Sequence, residues 1–402
     1  MSRTILDLHV LQTVPPSNLN RDDTGTPKTA FYGGVRRSRV SSQAWKRATR
    51  KAFADLLDPS ELGVRTKKVA ELIGETIREL DETIDQAESW ELASAVVEAG
   101  TGSKLAVPKR KKNKNKEEKE EAENAAEPAP ESSYLMFLSA SQRRGLAELA
   151  IEGRSDIKAF LKDKENKARA RQVADSRHSI DIALFGRMVA DGADVNVDAA
   201  AQVAHAISVH AVETESDYYT AVDDRNEDAE SGAGMIGTVE FNSATLYRYA
   251  ALDVDRLADN LGQGLREDAA PGEPVRRAVE AFLRGFLISL PSGKVNTFAH
   301  NTLPEAVVVK LRGSRPVSFV GAFEEPTLVE SGGHLRQASE RLAEHIGELE
   351  AAYGEQAEHT WVLRVGGNTR KLDVVGPRVD LEELVTQVGT EVIRRQQGSD
   401  DR

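Results

Sequence analysis

The chain of 402 residues contains no cysteine, which excludes disulfides and thiolate metal sites and fits a reducing compartment. Aromatic residues make up only 5% of the sequence, so any stacking on nucleobases must rest on few rings. No apolar run approaches the roughly 18 residues that a membrane-spanning helix needs. The first residues, Met1 to Asp7, include an acid and no apolar stretch of signal length. The expectation is a soluble protein of the cytoplasm with no membrane contact.

Signatures of common catalysis are also missing. Gly293-Lys294 is followed by Val295, and Ile288 stands where the first glycine of a phosphate-binding G-x-x-x-x-G-K-[ST] loop belongs. No G-x-G-x-x-G follows a strand, and there is no H-E-x-x-H. His205 and His210 are five residues apart and share a face of neither helix nor strand well, which argues against a metal pair. The remaining candidate is Asp22-Asp23, whose neighbouring carboxylates could bind Mg²⁺ and activate water as in a metal-dependent ribonuclease. Two metals need more acids than this loop supplies, and the competing reading has these acids position Arg21 or a backbone amide. No catalytic residue, metal or cofactor is expected.

What is present is a concentration of positive charge. Lys28 to Lys51 holds eight Lys and Arg and no Asp or Glu, in a chain of net charge −12, so the remainder carries −20. Such asymmetry asks for a polyanionic partner. From Ser41 onward the stretch reads as a helix, with Ser41 or Ser42 as N-cap and no Pro or Gly until Pro59. At 100° per residue, Ala44, Trp45, Ala48, Ala52, Phe53 and Leu56 fall on one half, and Gln43, Lys46, Arg47, Arg50 and Lys51 on the other. One half packs and the other meets phosphates. Ser41, Ser42 and Gln43 add donors at the helix start, and Gly33-Gly34 either admits a close ligand or makes a tight turn.

Elsewhere, Thr4 to Leu11 alternates, with Leu6, Leu8 and Val10 on one face and Asp7 and His9 on the other, the pattern of a half-buried strand. Val69, Leu72, Ile73, Ile77, Leu80 and Ile84 recur at helical spacing, and helical patterning resumes from about Ser139 to Met188. Between them Val107 to Glu131 is rich in Lys and Glu and nearly devoid of apolar side chains, so a disordered loop is expected. Glu213 to Glu230 carries eight acids against Arg225 alone, and Gly232, Gly234 and Gly237 follow before the alternating Thr238 to Tyr249. Two extended segments around an acidic, glycine-bearing loop predict a protruding β-hairpin. Val275–Ser289 and Leu381–Arg395 read as helices, the latter capped by Asp380, and Ala306–Leu311 as a buried strand. Strands near both ends with helices between give an α+β domain with a helical insertion.

Seven blocks stand in order and together resemble one family: Asn20-Arg21-Asp22-Asp23; Phe31-Tyr32-Gly33-Gly34 with Arg36-Arg37-Ser38-Arg39; Ser41-Ser42-Gln43 with Lys46-Arg47-Ala48 and Arg50-Lys51; Asp181 through Met188; Ala204-His205-Ala206-Ile207; Thr220 through Asp224; and Tyr247-Arg248-Tyr249-Ala250. They look like the CasC backbone subunit of the type I-E CRISPR Cascade complex. The resemblance implies a hand-shaped α+β protein: a palm like the RNA recognition motif (ferredoxin-like), a helical fingers insertion and a hairpin thumb. The palm would span 1–60, 180–211 and 241–402, the fingers 61–179 with the disordered loop 107–131, and the thumb 212–240.

The implied function is non-catalytic: copies stack head to tail along CRISPR RNA, the thumb displaces a nucleotide at intervals, and the exposed guide pairs with target DNA. The implied partners are CRISPR RNA, target DNA through that RNA, further copies of the chain, and the Cascade subunits CasA, CasB, CasD and CasE. The matching motif residues put Lys28, Ser41, Gln43, Lys46 and Arg50 on the RNA backbone, with Arg21, Arg36, Arg37, Arg39 and Arg47 completing the basic set. Met188 matches a residue packing against bases near the kink, its alternative being a core methionine. The Lys/Glu-rich loop departs from the family pattern, and the acidic hairpin could dock on the basic face of the next copy.

Overall fold

The computed structural model describes residues 3–108, 128–189, 195–221, 235–262, 272–328 and 333–400. The chain forms two compact units, one of Met1–Leu56, Ala201–Asp255 and Val275–Arg402, the other of Leu57–Ala200 and Arg256–Pro274. In chain order the strands are β1 (Ile5–Ser17), β2 (Thr29–Tyr32), β3 (Val35–Val40), β4 (Gly63–Thr66), β5 (Leu105–Ala106), β6 (Glu131–Ser132), β7 (Met136–Ser139), β8 (Ala201–Val203), β9 (Ala206–Ser208), β10 (Glu215–Ala221), β11 (Met235–Asp253), β12 (Ala306–Arg312) and β13 (His359–Arg364).

The first unit is built on an antiparallel sheet ordered β13-β12-β1-β11-β9-β3-β2, with β8 and β10 also pairing along β11. Its strand β1 corrects the half-buried expectation. Leu6, Leu8 and Val10 are buried, and so are Asp7 and His9, both 0% exposed. Asp7 accepts from Arg312 Nε at 2.8 Å and from the Val317 amide at 3.0 Å, while the His9 ring lies 4.4 Å from the Phe319 ring. A covering layer that the local alternation does not announce closes this second face. It includes Val317, Phe319, Phe323 and residues of the helix Gly333–Tyr353, among them Ala338, Leu342 and Ile346.

On the opposite face, helix α1 (Ser42–Leu56) and the helix Glu273–Ile288 pack together, since a Cβ on Gly285 would sit 3.0 Å from Phe53 and 3.2 Å from Thr49. The C-terminal helix Leu381–Asp400 starts at a capping box in which Glu383 N–H donates to Asp380 Oδ1 and Asp380 N–H to Glu383 Oε2. The expected acidic hairpin exists as β10 paired with Met235–Phe241 of β11, and its connecting residues, Asp223 and Asp224 included, lie outside the described residues.

The second unit is helical around α2 (Val69–Leu80), α3 (Gln86–Thr101) and the helix Ala140–Glu152, whose inner faces share a core of Ile73, Ile77, Val96, Val97, Leu146 and Ala150. Of the Val107 to Glu131 loop, residues 109–127 lie outside the described part, while Glu131–Ser132 pairs with Leu105–Ala106. Residues 180–200 belong to this helical unit. Two contacts hold them there. Asp181, buried, accepts the Gly63 amide at 2.9 Å, and Arg187 donates to the Ala174 carbonyl at 2.9 Å.

Candidate nucleic-acid interface

Helix α1 carries the expected division. Trp45, Ala48, Thr49 and Phe53 are buried, Gln43, Arg47 and Lys51 are exposed, and Lys46 and Arg50 are half-buried at the border. Burial lowers the Lys46 pKa from its ordinary value. The inner face is anchored by Arg248 on β11, whose guanidinium lies 3.8 Å from the centre of the Trp45 ring and 4.5 Å from that of Phe286. Arg248 also donates to Gln12 Oε1 at 2.6 Å, and burial pushes its pKa down to about 9.

The start of α1 is tied to the Asn20-Arg21-Asp22-Asp23 segment. Asn20 Oδ1 accepts the Ser41 amide at 2.9 Å, and Ser41 caps the helix by accepting the Ala44 amide at its Oγ, 3.3 Å away. Ala44 and Trp45 N–H also reach the Ser41 carbonyl, leaving Ser42 and Gln43 N–H without a partner among the described residues. Ser41 is itself buried, so its hydroxyl serves the cap.

The loop that follows Asn20 is held at both ends. Asn18, buried, donates to the carbonyls of Gly25 at 2.9 Å and Glu240 at 2.8 Å, joining the loop to the base of the hairpin. Asp22 Oδ1 accepts the amides of Thr24 and Thr26 and the Thr24 hydroxyl, and these bonds, the hydroxyl's foremost, lower its pKa. This carboxylate organises its own turn, the positioning role raised against the metal reading. Arg21 and Asp23 are exposed, and among the described residues no three His, Asp or Glu side chains converge as metal ligands. Lys28 and Arg39 line a recess with Asn20, Ser38 and Asn242, and Arg39 also contacts His205.

The Arg36-Arg37 pair splits across the strand, as alternation on β3 requires. Arg36 is exposed, donates to Thr29 Oγ1 at 3.2 Å and lies 5.1 Å from the centre of the Phe31 ring, itself 73% exposed. Arg37 is 0% exposed, which corrects its place in the RNA-contacting set. Its guanidinium donates to the carbonyls of Tyr32, Ser208, Phe323 and Glu324 inside the fold. The same neighbourhood decides between the two readings of Gly33-Gly34. Both have positive φ, +59° and +78°, in the two-residue turn between Tyr32 and Val35, and a Cβ on Gly33 would lie 1.6 Å from the Glu324 carbonyl oxygen. The turn needs these glycines for its own geometry.

In the helical unit Met188 is 80% exposed, which removes the core-methionine alternative. It follows Arg187, whose backbone exchanges hydrogen bonds with Val197 and whose buried guanidinium donates to the Val195 carbonyl at 3.0 and 2.8 Å. On the hairpin, Tyr218 and Tyr219 are 73% and 47% exposed, and the Tyr219 ring covers its cross-strand partner Gly237. Charge and helical spacing pass over these rings and Phe31, although aromatic residues in short polar hairpins are a signal for them.

The family described as CT1975-like protein matches residues 6–387. Two solved structures are similar over nearly their whole length. One, titled "CRISPR RNA-guided surveillance complex, pre-nicking", is 35% identical with a TM-score of 0.77, covering 95% of this chain and 99% of that one. The other, titled "CRISPR RNA-guided surveillance complex", is 31% identical with a TM-score of 0.68 at the same coverage. Comparison with curated proteins found no match. No described helix is long and apolar enough to cross a membrane.

Proposed function

The chain belongs to the CT1975-like family, the CasC-type backbone proteins of Cascade, and from that premise we propose that it is a non-catalytic, CRISPR RNA-binding backbone subunit of a type I-E surveillance complex. In this reading the sheet unit is the RNA-recognition-motif-like palm, the helical unit the fingers, and the β10–β11 hairpin the thumb. Copies stack head to tail along the guide in the cytoplasm, with CasA, CasB, CasD and CasE completing the particle, and target DNA is met through the guide.

The observation that carries the proposal is the outer face of α1. Gln43, Lys46, Arg47, Arg50 and Lys51 occupy one side of a 15-residue helix with no acid among them, beside two amides at its start that have no partner among the described residues. Such a surface recognises backbone phosphate and is indifferent to base identity, which leaves sequence reading to base pairing.

Replacing Lys46 and Arg50 together by Ala tests it in a single-stranded RNA titration. The expected result is weaker binding to every RNA sequence alike, with the dependence of log affinity on log salt shallower by roughly 1.4, about 0.7 for each phosphate that is no longer neutralised. Unchanged affinity and slope would remove α1 from the RNA surface.

A further inference from the structure

Three basic groups meet beside the β2–β3 hairpin. Arg39 donates through Nε to the Thr29 carbonyl at 3.2 Å, and its Nη1 lies 3.3 Å from Nδ1 of His205. Guanidinium can only donate, so Nδ1 accepts and the ring proton sits on Nε2. The register supports the contact, because Arg39 pairs with Ile207, two residues beyond His205. Lys28, immediately before β2, and Arg39 line one recess. Among the described residues neither has a carboxylate partner.

We propose that His205 is a third phosphate ligand of the RNA site, donating its Nε2–H to the phosphodiester that Lys28 and Arg39 neutralise. This rests on the RNA-binding reading above and adds to it a residue that the sequence reading weighed as a poor metal ligand and placed in one of the seven blocks without a role. A phosphodiester brings the anion that the cluster lacks, and the neutral, exposed imidazole presents a donor beside it.

A proton linkage follows. Partial burial, then the charges of Arg39 and Lys28, hold the His205 pKa below the usual histidine value in the free protein; these two cations are the charged groups acting on the ring. A bound phosphate opposes both charges and favours the imidazolium. Protonation of Nδ1 also removes the acceptor that Arg39 uses and releases its guanidinium toward the phosphate. RNA binding therefore takes up a proton, and affinity rises as pH falls, by at most about tenfold per pH unit for one proton.

The test is titration of the full chain with a single-stranded RNA oligonucleotide at pH 7.5 and 6.0, comparing wild type, His205→Gln, His205→Ala and the Lys46/Arg50 double variant. His205→Gln keeps an N–H donor but cannot charge, so it should bind as wild type within about twofold at pH 7.5 and lose most of the gain at pH 6.0. His205→Ala should bind more weakly at both values, by roughly fivefold or more at pH 7.5. If both His205 variants follow wild type at both pH values while the double variant weakens, His205 is not a ligand and the RNA surface stands. If the double variant also binds like wild type, the failure belongs to the functional reading itself.

Discussion

The Arg37 guanidinium donates to the Phe323 carbonyl at 2.9 Å, across 286 residues of sequence. Its charge, drawn from the acid-free basic stretch Lys28 to Lys51, secures the 323–324 turn against the β2–β3 hairpin, while Arg47 on α1 remains exposed. The two arginines should therefore part company under mutation. Arg37→Ala strands several buried carbonyls and should lower stability by roughly 3 kcal/mol or more. Arg47→Ala should change stability by no more than about 0.5 kcal/mol and weaken RNA binding. Denaturant melts and RNA titrations on both variants check this, and equal effects on stability would contradict it.

Gly33 and Gly34 share a turn but not a neighbour. Gly33→Ala must displace the Glu324 carbonyl in addition to holding φ at +59°, whereas a Cβ on Gly34 meets nothing within 4 Å. Urea unfolding should show Gly34→Ala costing about 1–2 kcal/mol for its positive φ alone, and Gly33→Ala costing clearly more. A reversed order would mean that the 323–324 turn does not pack on the hairpin.

His210 makes the sheet unit sensitive to acid. The Thr245 amide donates to its Nε2 at 3.1 Å, so its Nδ1–H faces the Ala211 carbonyl, and the ring stacks 3.8 Å from His334. Burial, with smaller contributions from the charges of His334 and Arg37, pushes its pKa down to about 4. Between pH 6.5 and 4 the unfolded chain binds more protons at this residue than the folded one. Its contribution is therefore intact above about pH 6.5 and lost as pH falls toward 4. Melting temperature should drop through that window, and less steeply in His210→Gln than in wild type; parallel curves would exclude His210 as a source.

Where a local pattern decided the structure, the sequence was readable. The 3.6-residue period separated Trp45 and Phe53 from Gln43, Arg47 and Lys51 on α1. Asp380 marked the start of the last helix, and the run Ala306 to Val309 marked β12. Where a distant segment decided, it was not. Asp7 and His9 look solvent-facing until Phe319 and the helix Gly333–Tyr353 cover them. Arg37 resembles its basic neighbours until the 323–324 carbonyls take up its donors. The segment 180–200 departs from the sheet unit because Asp181 and Arg187 satisfy backbone groups in the helical one. Of the candidate site, charge and spacing exposed the cations but not the geometry that brings His205 to Arg39.

The central claim, that this chain lines a guide RNA, is tested most directly by purifying it from cells that express a CRISPR array and sizing and sequencing the nucleic acid that accompanies it. The account predicts uniform CRISPR RNA within a large multi-subunit particle. Protein free of nucleic acid, or RNA trimmed in a Mg²⁺-dependent manner, would contradict it.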